Sequence, residues 1–212
     1  MERLGAIREG TVAGQADRVL PLVCAALVDG TPATDILQDG LIAAMDVVGR
    51  RFEHGDCFIP EMLLSARVMK GAVELLRPHL VAAHVQAVGR VVMGTVQGDV
   101  HDIGKNLVGM MLEGAGFEVI DLGNDVPPAR FVEGVAQHRP DFVGLSAMLT
   151  TTMPNMGRTI AALKGAGLRT GVRVVVGGAP VTAAFAREIG ADLYAATATE
   201  AAERLRGVAR GA

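Results

Sequence analysis

Residues 98–108 read GDVHDIGKNLV, which places two aspartates, a histidine, two glycines and a lysine in one short segment. A turn of that kind has three familiar uses: cradling a phosphate, carrying a phospho-acceptor, or ligating a metal. A phosphate-binding loop needs four residues between its first glycine and the Gly-Lys pair, with Ser or Thr next. Here five residues separate Gly98 from Gly104, and Asn106 follows Lys105. Asp99 and Asp102 would moreover repel a phosphate brought close to them. The dinucleotide fingerprint G-x-G-x-x-G is absent. A receiver-type domain needs an acceptor aspartate at the end of its third strand, where this chain has Ser146. Metal ligation remains. Asp99, two residues before His101, suits an imidazole that binds a metal through one nitrogen and donates the other N–H to a carboxylate. One histidine does not build a protein-only zinc or iron site, which takes three or four ligands. Two readings therefore stand at this point: a capping Asp99 with a structurally hydrogen-bonded His101, or a metal whose coordination sphere comes mostly from a macrocycle.

The elements around this turn follow from hydrophobic periodicity. From about residue 89, short β-rich runs alternate with amphipathic segments. The runs are 90–96 (RVVMGTV), 117–122 (FEVIDL), 141–147 (DFVGLSA), 172–178 (VRVVVGG) and 192–196 (DLYAA). Helical patterns lie near 104–115, 128–138, 153–166, 180–189 and 199–208. Nearly continuous apolar strands are buried on both faces and hence parallel. The alternation predicts a flavodoxin-like, doubly wound α/β domain over residues 89–212, with a five-stranded parallel sheet ordered 2-1-3-4-5. Ligands of such sheets bind beyond the carboxyl ends of the strands, where the order reverses. The turn at 98–104, the SAMLTTT segment and the GGAP segment should line that crevice.

Residues 1–88 show helical periods throughout, and we expect a four-helix bundle there. Leu41, Met45, Val48 and Phe52 share one helix face, as do Met62, Ala66, Met69, Val73 and Leu76. Thr31-Pro32 is expected to cap the first of these helices. Pro60 opens the second, and Pro78 is expected to end it. Residues 3–9 and 12–29 carry weaker helical patterns, and residues 79–89 are the expected hinge.

Composition narrows the classes. Half the residues are hydrophobic and the net charge is −3. With no basic cluster, nucleic acid is not expected as a partner. The longest apolar run, residues 19–28, is about half a membrane span and contains Pro21, so no membrane segment is expected. No secretory leader is visible, and Cys24 and Cys57 make neither a disulfide framework nor a metal spacing, which together point to the cytoplasm. Ten methionines against one tyrosine and no tryptophan suit core filling or a large apolar ligand.

Three motifs fall in register: D-x-H-x-x-G at Asp99, His101 and Gly104, a serine motif at Ser146, and the pair Gly177-Gly178. In this register the chain resembles the corrinoid (vitamin B12) binding proteins of methyltransferase systems, and is similar to the cobalamin-binding module of methionine synthase. Met148 stands where the family usually has leucine, a volume-conserving exchange. The stretch 52–78 is similar to the helical cap that precedes the corrinoid domain in these proteins.

The resemblance implies cobalamin or a related corrinoid as cofactor, cycling between methylcob(III)amide and cob(I)amide. His101 would be the lower axial ligand of cobalt, with Asp99 hydrogen-bonded to its ring and Thr152 extending the relay. Gly98, Val100, Asp102 and Gly104 complete the turn. Ser146, Met148, Thr150, Gly177 and Gly178 would border the slot for the cofactor's nucleotide tail, with Tyr194 and Ala198 as further contacts. The family usually has an aspartate near Thr197. In the cap, Phe52, Ile59 and Met62 would cover cobalt's upper face. The implied function is that of a corrinoid carrier subunit with no catalytic residue of its own. It would be served by a substrate-specific methyltransferase, an acceptor methyltransferase and a reductive activator. The methyl donor could be a methylamine, methanol, an aryl methyl ether or a betaine. The alternatives are a subunit of an adenosylcobalamin mutase, whose modules lack this cap, and a B12-dependent sensor, which would carry a DNA-binding element before it.

Overall fold

The computed structural model describes residues 2–83 and 87–211. It comprises two compact units, one built on the helices before residue 88 and one on the chain after it.

Among the described residues before 88, the first unit holds four helices. Glu2–Val12 and Ala16–Val28 come first. The third is continuous through Ala33–Asp35, a π-helical stretch Ile36–Ile42, and Ala43–His54. The fourth is Ile59–Ala82. The expected stripes face inward: Leu41, Met45, Val48, Met62, Met69 and Leu76 are buried. Each such side chain contributes about 1.5–3 kcal/mol relative to an exposed one. Two local expectations are corrected. Pro32 itself is the N-cap residue and no side chain caps the third helix, so Thr31 does not act there. Pro78 does not end the fourth helix, which runs on to Ala82. A proline's fixed φ is compatible with a helix, and burial of Leu80 in the helical core holds the last turn in place. The expected hinge at 79–89 thus begins in helix, and its centre, 84–86, lies outside the described residues.

Among the described residues the second unit holds a five-stranded parallel sheet whose strands, numbered in chain order, lie 2-1-3-4-5. The strands are β1 Arg90–Thr95, β2 Glu118–Asp121, β3 Phe142–Ser146, β4 Arg173–Gly177 and β5 Leu193–Tyr194. Helices Ile103–Gly114, Pro128–His138, Pro154–Gly165, Ala183–Glu188 and Ala198–Arg210 alternate with them. Val143, Leu145, Val174 and Val176 pack with Phe131, Met156 and Leu163 into the core. Strand register fixes the site. Thr95 pairs with Ser146, and Ser146 with Gly177, so the three central strands end level with one another. Their loops therefore emerge side by side at the carboxyl edge.

Candidate functional site

The loop leaving β1 carries Asp99 and His101 into that edge. Asp99 is 0% exposed, which would be untenable for a carboxylate without partners. It has five. Its Oδ1 accepts from the ring Nδ1 of His101 at 2.8 Å and from the His101 backbone N–H at 3.1 Å. Its Oδ2 accepts from the Thr152 hydroxyl at 2.7 Å and from the backbone N–H groups of Met148 at 2.7 Å and Leu149 at 3.3 Å. Burial alone would push the pKa of this group up. The Thr152 hydroxyl, the Met148 amide and the two His101 contacts outweigh it, and hold the carboxyl well below the usual carboxylate range.

An ionised Asp99 can only accept, so Nδ1 of His101 carries the proton, and in the neutral ring Nε2 keeps a free lone pair. The ring is half exposed, 50% by side-chain area. The backbone is also held: the buried Thr95 hydroxyl donates to the His101 carbonyl at 2.9 Å. The result is one imidazole nitrogen, pre-oriented and open to a ligand. Among the described residues, no group of three or more His, Cys, Asp or Glu is placed to hold a metal ion. An ion bound at Nε2 must therefore arrive with most of its coordination sphere.

The surroundings suit a flat apolar carrier. Val100, Ile103, Met148 and Leu149 are 41–69% exposed, although each is large and hydrophobic. Among the described residues they are the large exposed hydrophobic side chains of the α/β unit, and all lie in the two loops beside His101 or on the first helical residue. Exposed apolar groups gathered in this way mark a binding surface. Ile103 and Leu149 lie in segments expected to line the crevice but were not singled out from sequence. Met45, Met62, Met69, Met93, Met111 and Met156 are buried filling, whereas Met148 is exposed at the site. Gly104 adds a second indication. It has no positive φ, and a Cβ there would meet nothing within 4 Å. Among the described residues no contact beyond the adjoining chain accounts for glycine at this position, which leaves the surface there clear for a ligand.

The remaining expected residues divide. Ser146 ends β3 and is partly buried, Thr152 is buried, and Thr150 is exposed. Gly98 adopts φ +83°, which a glycine takes without strain. Gly177 and Gly178 have a cause inside the chain: a Cβ on Gly178 would sit 1.9 Å from the Ala147 carbonyl oxygen, and one on Gly177 3.0 Å from that of Ala195. Tyr194 and Ala198 are partly buried beyond β4, on either side of Thr197. Thr197 is the N-cap of the last helix and accepts from the Glu200 N–H at 3.1 Å, a structural role in place of the family's aspartate. In the helical unit Phe52 is partly buried, Ile59 exposed and Met62 fully buried.

Comparison with known proteins agrees with this geometry. Two family models described as B12 binding domains match the chain, over residues 89–206 and 4–77. Trimethylamine corrinoid protein 2 of Methanosarcina acetivorans is 44% identical, over 85% of this chain and 84% of its own. Dimethylamine corrinoid protein 2 of the same organism is 43% identical, over 97% and 95%. The solved methanol:cobalamin methyltransferase complex MtaBC from Methanosarcina barkeri superimposes with a TM-score of 0.88 at 29% identity, over 100% of this chain and 81% of that one. With His101 open on an apolar rim, and with both family models matched, the chain belongs to the B12-binding domain family as a corrinoid-binding protein of methyltransferase systems.

Proposed function

We propose that this protein is a methyl-carrying corrinoid subunit in which His101 Nε2 is the lower axial ligand. It would be loaded by one methyltransferase, unloaded by another and kept active by a reductive activator. The observation that carries the reading is the ionised, fully buried Asp99 holding the His101 ring by Nδ1. The corrinoid, when bound, supplies the exchange of a methyl group at cobalt, and the protein supplies ligation, orientation and shielding. Asp99 fixes the tautomer that can ligate. Were the ring free of a metal, the half-exposed Nε2 could take a proton from solvent and the imidazolium would stay paired with Asp99, whose charge the Met148, Leu149 and Thr152 donors solvate. The Thr152 hydroxyl also lies 2.9 Å from the Leu149 carbonyl, so its single proton has two acceptors and can follow changes at Asp99. The methyl donor is assigned to the methylamine class, because the relatives at 42–44% identity are named for trimethylamine and dimethylamine. The match of a B12-binding model to the helices at 4–77 favours this reading over a mutase subunit.

Reconstitution with hydroxocobalamin tests it. Protein labelled with 15N-histidine and reduced to the Co(II) state should show the cobalt electron-spin signal split by a histidine nitrogen, a triplet becoming a doublet on labelling. His101→Ala should still retain the corrinoid, lose that splitting, and transfer methyl groups about 10–100-fold more slowly. Identical signals from the two proteins would overturn the assignment.

Gly104 provides a separate check. A Cβ there meets no described atom within 4 Å outside the adjoining chain, and alanine is the better helix former by up to ~1 kcal/mol. Gly104→Ala should therefore melt at the same temperature as wild type or slightly higher without cofactor, yet bind hydroxocobalamin more weakly. Unchanged binding in a titration would mean that no ring lies over the loop.

A further inference from the structure

We infer that the loop leaving β2, Asp121 to Val126, is a positioning clamp for His101, with Asp125 as its principal residue. The inference rests on His101 being the axial ligand, and its observations are independent of that assignment. Residues 97–102 form no helix or strand, so the place of the imidazole depends on what holds their backbone. The β2 loop holds it on both sides. Asp125 donates its backbone N–H to the Asp99 carbonyl at 2.9 Å, and its Oδ1 accepts from the Gly98 N–H at 2.7 Å. Asn124 Nδ2 donates to the Val100 carbonyl at 3.2 Å. The backbone of the three residues preceding His101 is thus bonded to two consecutive residues of a neighbouring loop.

Beyond His101, the buried Lys105 is ion-paired to Asp121 through Oδ2, and Oδ1 of that same aspartate accepts from the Gly123 N–H at 2.9 Å. The start of the helix at Ile103 is thereby tied to the same loop. The clamp itself is anchored on β1, with Thr95 N–H donating to Gly123 O at 3.0 Å and Val126 N–H to Thr95 O at 2.9 Å. Thr95 in turn donates its hydroxyl to the His101 carbonyl. Asp125 adopts φ +51°, which few residues other than Gly, Asn and Asp take readily. That conformation lets one residue present its N–H to the Asp99 carbonyl and its carboxylate to the Gly98 N–H.

Three side chains, Asp121, Asn124 and Asp125, therefore set where the imidazole stands before any ligand arrives. Loosening the clamp leaves Nε2 chemically able to ligate but more often misplaced. The fraction of protein with the histidine on cobalt should fall, while retention of the corrinoid is unaffected.

The test compares Asp125→Gly with Asp125→Asn. Glycine tolerates the positive φ and removes only the acceptor; asparagine keeps an oxygen for Gly98 and also tolerates the φ. In hydroxocobalamin-loaded protein, the ratio of histidine-ligated to unligated forms, read from the visible spectrum, should fall about tenfold in Asp125→Gly. In Asp125→Asn it should stay within about twofold of wild type. Asn124→Ala, which leaves Asp125 in place, should shift the ratio in the same direction by a smaller factor. A wild-type ratio in Asp125→Gly would overturn the clamp, as would an asparagine variant as impaired as the glycine one. Loaded wild type with no histidine-ligated form would instead refute the axial role of His101, so the two failures are distinguishable.

Discussion

Asp99→Asn is expected to lose both stability and histidine ligation, although the two side chains have nearly the same shape. The carboxylate receives three donors at Oδ2 and two at Oδ1. An amide offers only one oxygen. If its NH2 faces the Oδ2 side, it meets the Met148 and Leu149 N–H groups, which are left unpaired in a buried place. The Thr152 hydroxyl can then turn to the Leu149 carbonyl, 2.9 Å away. If its NH2 faces His101, the ring must accept at Nδ1, which moves the proton to Nε2 and removes the lone pair needed for a metal. Stranding one or two buried donors costs about 1–3 kcal/mol each. The folding free energy should therefore fall by about 2–4 kcal/mol in urea melts, and the histidine-ligated spectrum should weaken. A variant matching wild type on both measures would remove Asp99 from the centre of the site.

The same carboxylate predicts a pH dependence. Its folded value lies below the ordinary one of about 3.9. Its contribution is accordingly complete above the unfolded value and lost as pH falls through the folded value. The stability gap between wild type and Asp99→Asn should stay constant from neutrality down to about pH 5 and narrow only in stronger acid.

How much of this was legible depended on whether the information sat in side-chain pattern or in backbone direction. Runs such as RVVMGTV and VRVVVGG are apolar on both faces, so the parallel strands and their order followed from the sequence, although only β1, β3 and β4 are largely buried and the edge strands β2 and β5 are not. The spacing of Asp99, His101 and Gly104 pointed to the turn that presents the His101 ring. What acts on Asp99 from the far side was not legible: the donors are the main-chain N–H groups of Met148 and Leu149, and any residue type can supply those. Asp125 and Asn124 escaped notice for a related reason. They lie in a loop after a different strand, and only the parallel register of β1 and β2 brings them to the turn. The exposure of Ile103 and Leu149 was hidden too, because an apolar residue beside a helix start reads as core. Proline rules misplaced one helix end, since Leu80 outweighed Pro78.

Gly178→Ala should have the other large effect, and the reason separates two explanations for the glycine pair. Sequence reasoning attributes both glycines to the approach of a cofactor tail. In the structure, the first neighbour of an added Cβ at Gly178 is the chain's own Ala147 carbonyl oxygen at 1.9 Å, with the carbonyl carbon at 2.9 Å. These are backbone atoms where β3 and β4 end together, and the Ala147 N–H donates to the Gly177 carbonyl at 3.3 Å. Relief would require parting the strand ends. The φ of +129° is in addition a conformation that alanine rarely adopts. Gly178→Ala should thus lose about 3 kcal/mol or more of stability in the cofactor-free protein, seen as a lowered urea midpoint. Because Ser146 pairs with Gly177, parting these ends also disturbs the Met148 and Leu149 amides that solvate Asp99. Histidine ligation should weaken with the fold rather than independently of it. An alanine variant with wild-type cofactor-free stability and impaired corrinoid binding would show instead that the tail alone dictates glycine there.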